Sequence, residues 1–294
     1  MKFHVVIPVF NRLSMTLGCL ESLSVQTDKV MNVVLVDDGS TDDTSEVVLK
    51  RFPEVHILEG NGDLWWTGAI NLGIRHVLSS AAPGDYVVLV NNDTYFEPDF
   101  ITRCRETAQR YPNALIGSVL VDTPLSRTIL SGGSKINWYT AKYTQLNLGK
   151  SIDGFPPRYV EAVSILTGRG VMIPCKVFHE VGLYDDRHFK QCGDTEFSRR
   201  ANLKGFPLYV SYDLISYNSD LDIERVKKYY LAKDFFHYFF GVRSNSRLKY
   251  RYWFSVNTSI NKFQMICYFV FDLVRITVHF LVRVRSRMAI NEEK

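Results

Sequence analysis

Two places in the chain combine acidic and amide side chains in a way suited to binding a nucleotide. Val33-Val34-Leu35-Val36 runs into Asp37-Asp38-Gly39-Ser40, and Tyr86-Val87-Val88-Leu89-Val90 runs into Asn91-Asn92-Asp93-Thr94. A carboxylate can accept hydrogen bonds from a nucleobase N–H or from ribose hydroxyls. A second carboxylate can ligate a divalent cation through oxygen. One such group at each of two neighbouring strand ends points to a nucleotide-linked substrate.

These groups need a scaffold that brings the strand ends together. Both apolar runs lack polar interruptions, as expected of strands buried on both faces of a parallel sheet. In open α/β sheets the crevice beyond the carboxyl ends of the strands is where ligands bind. The first part of the chain alternates accordingly. His4–Val9, Asn32–Val36, Val55–Leu58 and Tyr86–Val90 read as strands. Leu13, Leu17, Leu20 and Leu23 recur at helical spacing, as do Ile70, Ile74, Val77 and Leu78. Ser40 is placed as the N-cap of a helix whose first turn holds Asp42 and Asp43, and Thr67 as the cap of another. Pro98 suits the first turn of the next helix. Repeated strand–helix units with short turns imply a doubly wound, mostly parallel sheet with helices on both faces.

From about Ala114 to Val171 the helical rhythm fades, and Gly132-Gly133, Gly149, Gly154 and Pro156-Pro157 punctuate short strands. An antiparallel extension carrying an acceptor loop is expected there. Asp194–Leu203 reads as a helix, ended by Gly205 and Pro207 before the strand Leu208–Tyr212.

Charge divides the 294 residues unevenly. Residues 1–224 carry 21 Lys/Arg and 27 Asp/Glu, whereas residues 225–294 carry 14 and 4. An acidic body with a basic tail suggests that the tail meets an anionic surface. Within that tail, Phe263–Val282 is long enough to span a bilayer but contains Asp272, Arg275 and His279. These three and Arg283 share one stripe of a helix that is otherwise apolar around most of its circumference. A helix lying on the membrane through residues 250–287, flanked by Arg283, Arg285 and Arg287, is preferred to a spanning one. Packing on its own domain or on a homodimer partner is the alternative. Five cysteines without C-x-x-C spacing argue against a zinc site or disulfide framework, so a cytoplasmic setting is expected. The N-terminus enters a strand at once, and no signal peptide is expected.

Several segments together resemble the family 2 glycosyltransferases of GT-A fold. Val5-Val6-Ile7-Pro8-Val9-Phe10-Asn11-Arg12 and Val36-Asp37-Asp38-Gly39-Ser40-Thr41-Asp42 resemble the family's opening. Gly62-Asp63-Leu64-Trp65-Trp66-Thr67-Gly68-Ala69-Ile70-Asn71 resembles the double-Trp segment of its rhamnosyltransferase-like branch. Leu89-Val90-Asn91-Asn92-Asp93-Thr94 stands where the family has its D-x-D element. Gly182-Leu183-Tyr184-Asp185-Asp186 and Gly193-Asp194-Thr195-Glu196-Phe197-Ser198-Arg199-Arg200 resemble its acceptor-side and catalytic-base segments. The resemblance covers roughly residues 3–220, and the segments fall in the expected order.

It implies a GT-A domain over 1–224, with a nucleotide-sugar-binding half (1–113) and an acceptor and catalytic half (114–224). A basic, aromatic, helical region follows over 225–294. Asp194 is implied as the catalytic base of an inverting transfer. Pro8, Phe10, Asn11, Asp38, Asp63 and Asn92 are implied in donor binding. Asp93 and Asn91 are implied as ligands of Mg²⁺ or Mn²⁺. Trp65, Trp66, Asp186 and Glu196 are assigned to the acceptor or sugar pocket, with core packing as the alternative for the tryptophans. Arg199 and Arg200 share the base helix, where one is expected to pair with an acid. The chain departs from the family at Asn91 and Gly193, each replacing an acid, and no His occurs in Leu214–Asn218.

The expected reaction is therefore sugar transfer from a nucleotide-diphosphate sugar to a hydroxyl of a lipid-linked or growing cell-surface saccharide, at the inner face of the membrane. A nucleotidyltransferase is the rival enzyme, but Val9-Phe10-Asn11-Arg12-Leu13 lacks the glycine-rich loop it needs. A non-catalytic, receiver-like metal-binding module would leave Gly168–Arg200 unexplained. Nucleic acid is not an expected partner, because the tail's aromatic apolar face suits lipid better.

Overall fold

A computed structural model describes residues 1–218 and 231–292, with side chains described up to 284 except at 232. The chain divides into two compact units. One comprises Met1–Lys135 and Gln145–Asp220, and the other Ile136–Thr144 with the described residues of 221–294.

The first unit opens with β1 (Phe3–Val9), α1 (Leu13–Ser24), β2 (Met31–Asp37), α2 (Thr44–Arg51), β3 (His56–Glu59), α3 (Trp65–Leu78) and β4 (Tyr86–Leu89). It continues through β5 (Thr94–Phe96), α4 (Phe100–Arg110), β6 (Leu115–Val121), β7 (Ile129–Ser131) and β10 (Val160–Ala162), while the hairpin of β8 (Ser134–Asn137) and β9 (Lys142–Gln145) lies mostly in the second unit. It closes with β11 (Val171–Pro174), α5 (Cys175–Val181), α6 (Gly193–Leu203) and β12 (Leu208–Asn218). Among the described residues the main sheet has ten strands along the path β10-β12-β6-β11-β4-β1-β2-β3, with β5 and β7 pairing β12 and β6. β1 pairs in parallel with both β2 and β4. Strand order therefore reverses at β1, the switch point where doubly wound sheets open a ligand crevice.

Both faces of the sheet are covered. Val6, Val34, Val36, Leu89 and Ile173 pack with α3 and α6 residues, while Val5, Ile7, Leu35, Val88 and Met172 pack with α1 and α4 residues. The alternation along β1 sends successive side chains into opposite layers. Each such aliphatic burial contributes about 1.5–3 kcal/mol. These pairings explain why the strands are β-branched runs rather than alternating ones.

Helix starts differ from the sequence expectation. Ser40 does not cap α2, which begins at Thr44 after Asp43 in the left-handed region. The Ser40 Oγ instead accepts from Asn11 N at 2.8 Å, and Asp42 accepts from Leu13 N at 2.9 Å, at the start of α1. Thr67 is buried inside α3, and its N–H donates to Lys190 O at 3.1 Å. Pro98 precedes α4 rather than entering its first turn. Leu115–Val121 is a core strand parallel to β12, not part of an extension, and β12 runs six residues beyond Tyr212.

In the second unit, α7 (Phe235–Phe240), α8 (Leu248–Thr258) and α9 (Lys262–Glu292) accompany residues 136–144. Tyr238, Phe239, Ile276 and Phe280 form a small core. Trp138 packs against Phe254 and Tyr268, with ring centroids 6.3 and 5.7 Å away. The stripe of Asp272, Arg275 and His279 borders this unit, with Arg275 and His279 partly exposed. Asp272 is fully buried, and His279 meets the Tyr238 hydroxyl at 3.1 Å. The side chains of Arg285 and Arg287, and the tail residues 225–230, lie outside the described residues.

Candidate active site

The carboxyl end of β2 fixes one side of the crevice. Both oxygens of the buried Asp38 accept backbone N–H bonds, Oδ1 from Gly62 and Oδ2 from Trp65, each at 2.9 Å. One carboxylate thus shapes the segment 60–65. Gly62 (φ +85°) and Trp65 (φ +57°) both lie in the left-handed region. For Trp65 that backbone carries strain, which persists only where the surroundings impose it. Each Asp38 oxygen keeps a second lone pair for another donor. Asp37 accepts from Ser40 N at 2.8 Å and from Ser45 Oγ, and so holds the turn itself.

The turn after β1 lies against this loop. Asn11 and Arg12 both have positive φ, and Asn11 Oδ1 accepts from Thr41 N at 2.9 Å. Phe10 is exposed and Pro8 half-buried. Arg12 Nη1 lies 3.7 Å from Asp93 Oδ2, which ties the β1 turn to the end of β4.

At that end the three polar residues diverge. Asn92 is buried and donates to Thr16 Oγ1 at 3.0 Å, toward α1. Asn91 Oδ1 accepts from Trp66 Nε1 at 2.9 Å. Asp93 keeps its carboxylate near the crevice, with Arg12 as its ionic neighbour. The strand register pairs Asn218, the last residue of β12, with Thr94, the residue after Asp93. Among the described residues no group of three or more His, Cys, Asp or Glu converges on one point. This donor set fits a hard cation that takes most of its ligands from phosphate oxygens and water, not one caged by protein. Asp93 would be its one charged ligand, with the remaining lone pair of Asn91 as a neutral oxygen.

The two tryptophans separate into different roles. Trp66 is half-buried, packs edge-on against Tyr184 at 5.9 Å, and lies over Gly168. A Cβ at Gly168 would meet Trp66 Cζ2 at 2.4 Å, so this close approach requires glycine. Trp65 lies outside, its Nε1 donating to Asp63 at 2.7 Å, with Lys190 Nζ 5.5 Å from its ring centroid and also paired to Asp63.

Asp194 opens α6 after Cys192 in the left-handed conformation. Its Oδ2 accepts from Gly168 N at 2.8 Å and its Oδ1 from Thr195 N at 2.9 Å. Burial pushes its carboxyl above the ordinary range, against those two backbone bonds and the charge of Arg169. A carboxylate raised in this way is a stronger proton acceptor than an ordinary aspartate. Tyr184 stacks on Phe197 at 4.2 Å beneath it. At Gly193, a Cβ would come within 3.0 Å of Thr67 Oγ1, so Thr67 fills the space of the absent acid.

Glu196 does not line an open pocket. It is fully buried and pairs with Arg200 Nε at 2.9 Å, while Arg200 also donates to Val181 O and Leu183 O. This is a structural pair that fixes the segment leading to Asp186. Arg199 donates to Asn202. Asp186 is exposed and receives Asn71 Nδ2 at 3.0 Å. Sequence reasoning missed Arg12, Asn71, Gly168 and Arg169. Arg12 follows Asn11 directly, and Gly168 belongs to a Thr-Gly-Arg-Gly run, but only tertiary contact gives either a partner.

The family model for glycosyl transferase family 2 matches residues 4–157. The chain belongs to this family. Over 210 residues it is 27% identical to the N-acetylglucosaminyl-diphospho-decaprenol L-rhamnosyltransferase of Mycobacterium tuberculosis, covering 64% of this chain and 66% of that enzyme. It thus spans slightly less than two thirds of that relative's length. TarS 1–349 of S. aureus, solved with UDP-GlcNAc, superposes with a TM-score of 0.59 at 14% identity over 97% of this chain and 74% of that one. GalNAc-T7, solved with UDP, GalNAc and Mn²⁺, gives 0.60 at 13% over 74% and 44%. At such identities these structures establish the fold, GT-A, and no more. The family match sets aside the nucleotidyltransferase and receiver-like readings.

Proposed function

We propose that this family 2 member is an inverting glycosyltransferase that moves a sugar from a nucleotide-diphosphate donor to a hydroxyl of a lipid-linked saccharide. The carrying observation is the Asp194 carboxylate, clamped by two backbone N–H groups and raised by burial at the start of α6. The acceptor hydroxyl attacks the anomeric carbon as its proton passes to Asp194. The new C–O bond forms opposite the breaking bond to phosphate, and the nucleoside diphosphate leaves. Asp38 accepts from the nucleoside while holding segment 60–65, and Pro8, Phe10 and Asn11 edge the same pocket. Asp93 would hold Mg²⁺ or Mn²⁺, which when bound neutralises charge on the leaving diphosphate. Asp63 and Asp186 are exposed enough to contact sugar hydroxyls. The lipid-linked acceptor is supported by the relative's name, which specifies a decaprenol-linked one.

The test is a panel of UDP-, dTDP- and GDP-sugars, with and without Mn²⁺, read by nucleotide release and by protection against thermal unfolding. One nucleotide class is expected to protect and to be turned over. No response to any of them would overturn the reading.

A further inference from the structure

The long helix α9 faces inside out for a helix in water. Its polar stripe contacts its own unit through Asp272, Arg275 and His279, of which Asp272 is buried and the other two remain part-exposed. Asp272 is fully buried and takes Arg275 Nε at 3.0 Å and, from α8, Arg251 Nη1 at 3.5 Å. The Arg275 guanidinium lies 5.1 Å from the Tyr143 ring centroid, and Tyr143 meets Tyr268 hydroxyl to hydroxyl at 2.8 Å. Phe263, Ile266, Val270, Val274, Val278 and Leu281 recur every three or four residues on the other side, and each is at least half exposed. That stripe is about 27 Å long at the helical rise, with no charged residue on it. Soluble helices turn the opposite face to solvent.

We infer that this stripe docks in the plane of an anionic lipid bilayer. Charge selects that occupant. Residues 231–284 carry eight Lys/Arg against two Asp/Glu, and with the buried Arg251–Asp272 pair set aside seven cations face one acid. Arg243, Lys249 and Lys262 are exposed, so the unit presents cations together with apolar surface. A second copy on the same face would bring like charges together, whereas anionic headgroups neutralise them. Lys262–Val284 is long and apolar enough to cross a membrane. A span, however, would put Asp272, Arg275 and His279 at hydrocarbon depth, where charge is expensive. Lying in the interface keeps that side on protein and the apolar side in lipid. The inference needs no nucleotide-sugar, so its failure would leave the donor reading untouched.

The full chain is sedimented with phosphatidylcholine vesicles with and without phosphatidylglycerol. Binding is expected to require phosphatidylglycerol and to weaken at high salt. Val270→Glu/Val274→Glu changes two surface positions, so thermal unfolding should stay as in wild type. Its vesicle partitioning should fall about tenfold or more, as charge enters the apolar face. Equal binding by this variant would overturn the inference. So would a lipid-free oligomer that the same variant converts to monomer, since a second copy would then cover the stripe. Retention in the membrane pellet after alkaline carbonate extraction would also overturn it, in favour of a span.

Discussion

The indole Nε1 of Trp66 donates to the amide oxygen of Asn91 at 2.9 Å, while the same ring lies over Gly168, whose N–H holds Asp194. One side chain therefore touches both the end of β4 and the loop that clamps the proposed base. It also gives Asn91, which stands where the family has an acid, a defined task. Trp66→Phe is expected to leave Asn91 Oδ1 without this donor and to cost about 1–2 kcal/mol of stability in chemical denaturation. Nucleotide release should drop with it. Unchanged turnover would show that the ring only fills space.

Asn91→Asp tests the cation side. An acid there can still accept from Trp66 and adds a second charge beside Asp93. The Mn²⁺ concentration for half-maximal turnover is expected to fall roughly tenfold, because ligand charge count tunes affinity. Asp93→Asn should raise it. If neither substitution moves the metal response, Asp93 is not a ligand.

As the proposed base, Asp194 would set the pH profile. Its carboxyl is raised by burial, so it stays protonated further up the scale than an ordinary Asp. Only the deprotonated form can accept the acceptor's proton, so kcat/KM should rise with pH through the raised value and then level. Stability has the opposite sign. The folded state holds this proton more tightly than the unfolded chain, so the group's contribution is largest on the acid side and declines as pH rises through the folded value. Asp194→Asn should lower turnover about 10²–10⁴-fold, and a residual rate near wild type would exclude it as base.

Gly168→Ala places a methyl group against the Trp66 ring. Overpacking of this kind costs about 1–3 kcal/mol, and here it also displaces the N–H that holds Asp194. Activity should fall by more than the stability loss alone explains, as measured by turnover at a temperature where the variant is fully folded.

Glu196→Gln separates structure from specificity. Breaking the buried pair with Arg200 is expected to cost about 3–5 kcal/mol in denaturant unfolding. Acceptor KM should stay unchanged in the folded fraction, since the side chain has no exposed surface. A selective KM change would return Glu196 to the acceptor pocket.

The strands were legible because burial on both faces leaves an unbroken β-branched record, and β1, β2 and β4 lie within a residue of their expected ends. Helix starts were less so. Ser40 and Thr67 are good caps by type, but Asn11 N claims the Ser40 hydroxyl and Thr67 is buried inside α3, and left-handed residues such as Arg12, Asp43 and Cys192 precede the helices instead. The carboxylates of the site were visible as residue types in order. Their partners were not, because Gly62, Trp65 and Gly168 contribute backbone N–H groups that every residue except proline possesses. In the tail, periodicity shows which residues share a face but not which face is covered. Asp272 points inward where Arg275, three residues on, and Arg251 of α8 both meet it.

Asp38 and Asp194 are both gripped by main chain rather than by side chains. The exposed residues Asn61, Asp63 and Asp186 make no direct side-chain bond to either acid. A library confined to those three positions should vary sugar preference while leaving the chemical machinery standing, which makes this scaffold a suitable starting point for redirecting glycosylation.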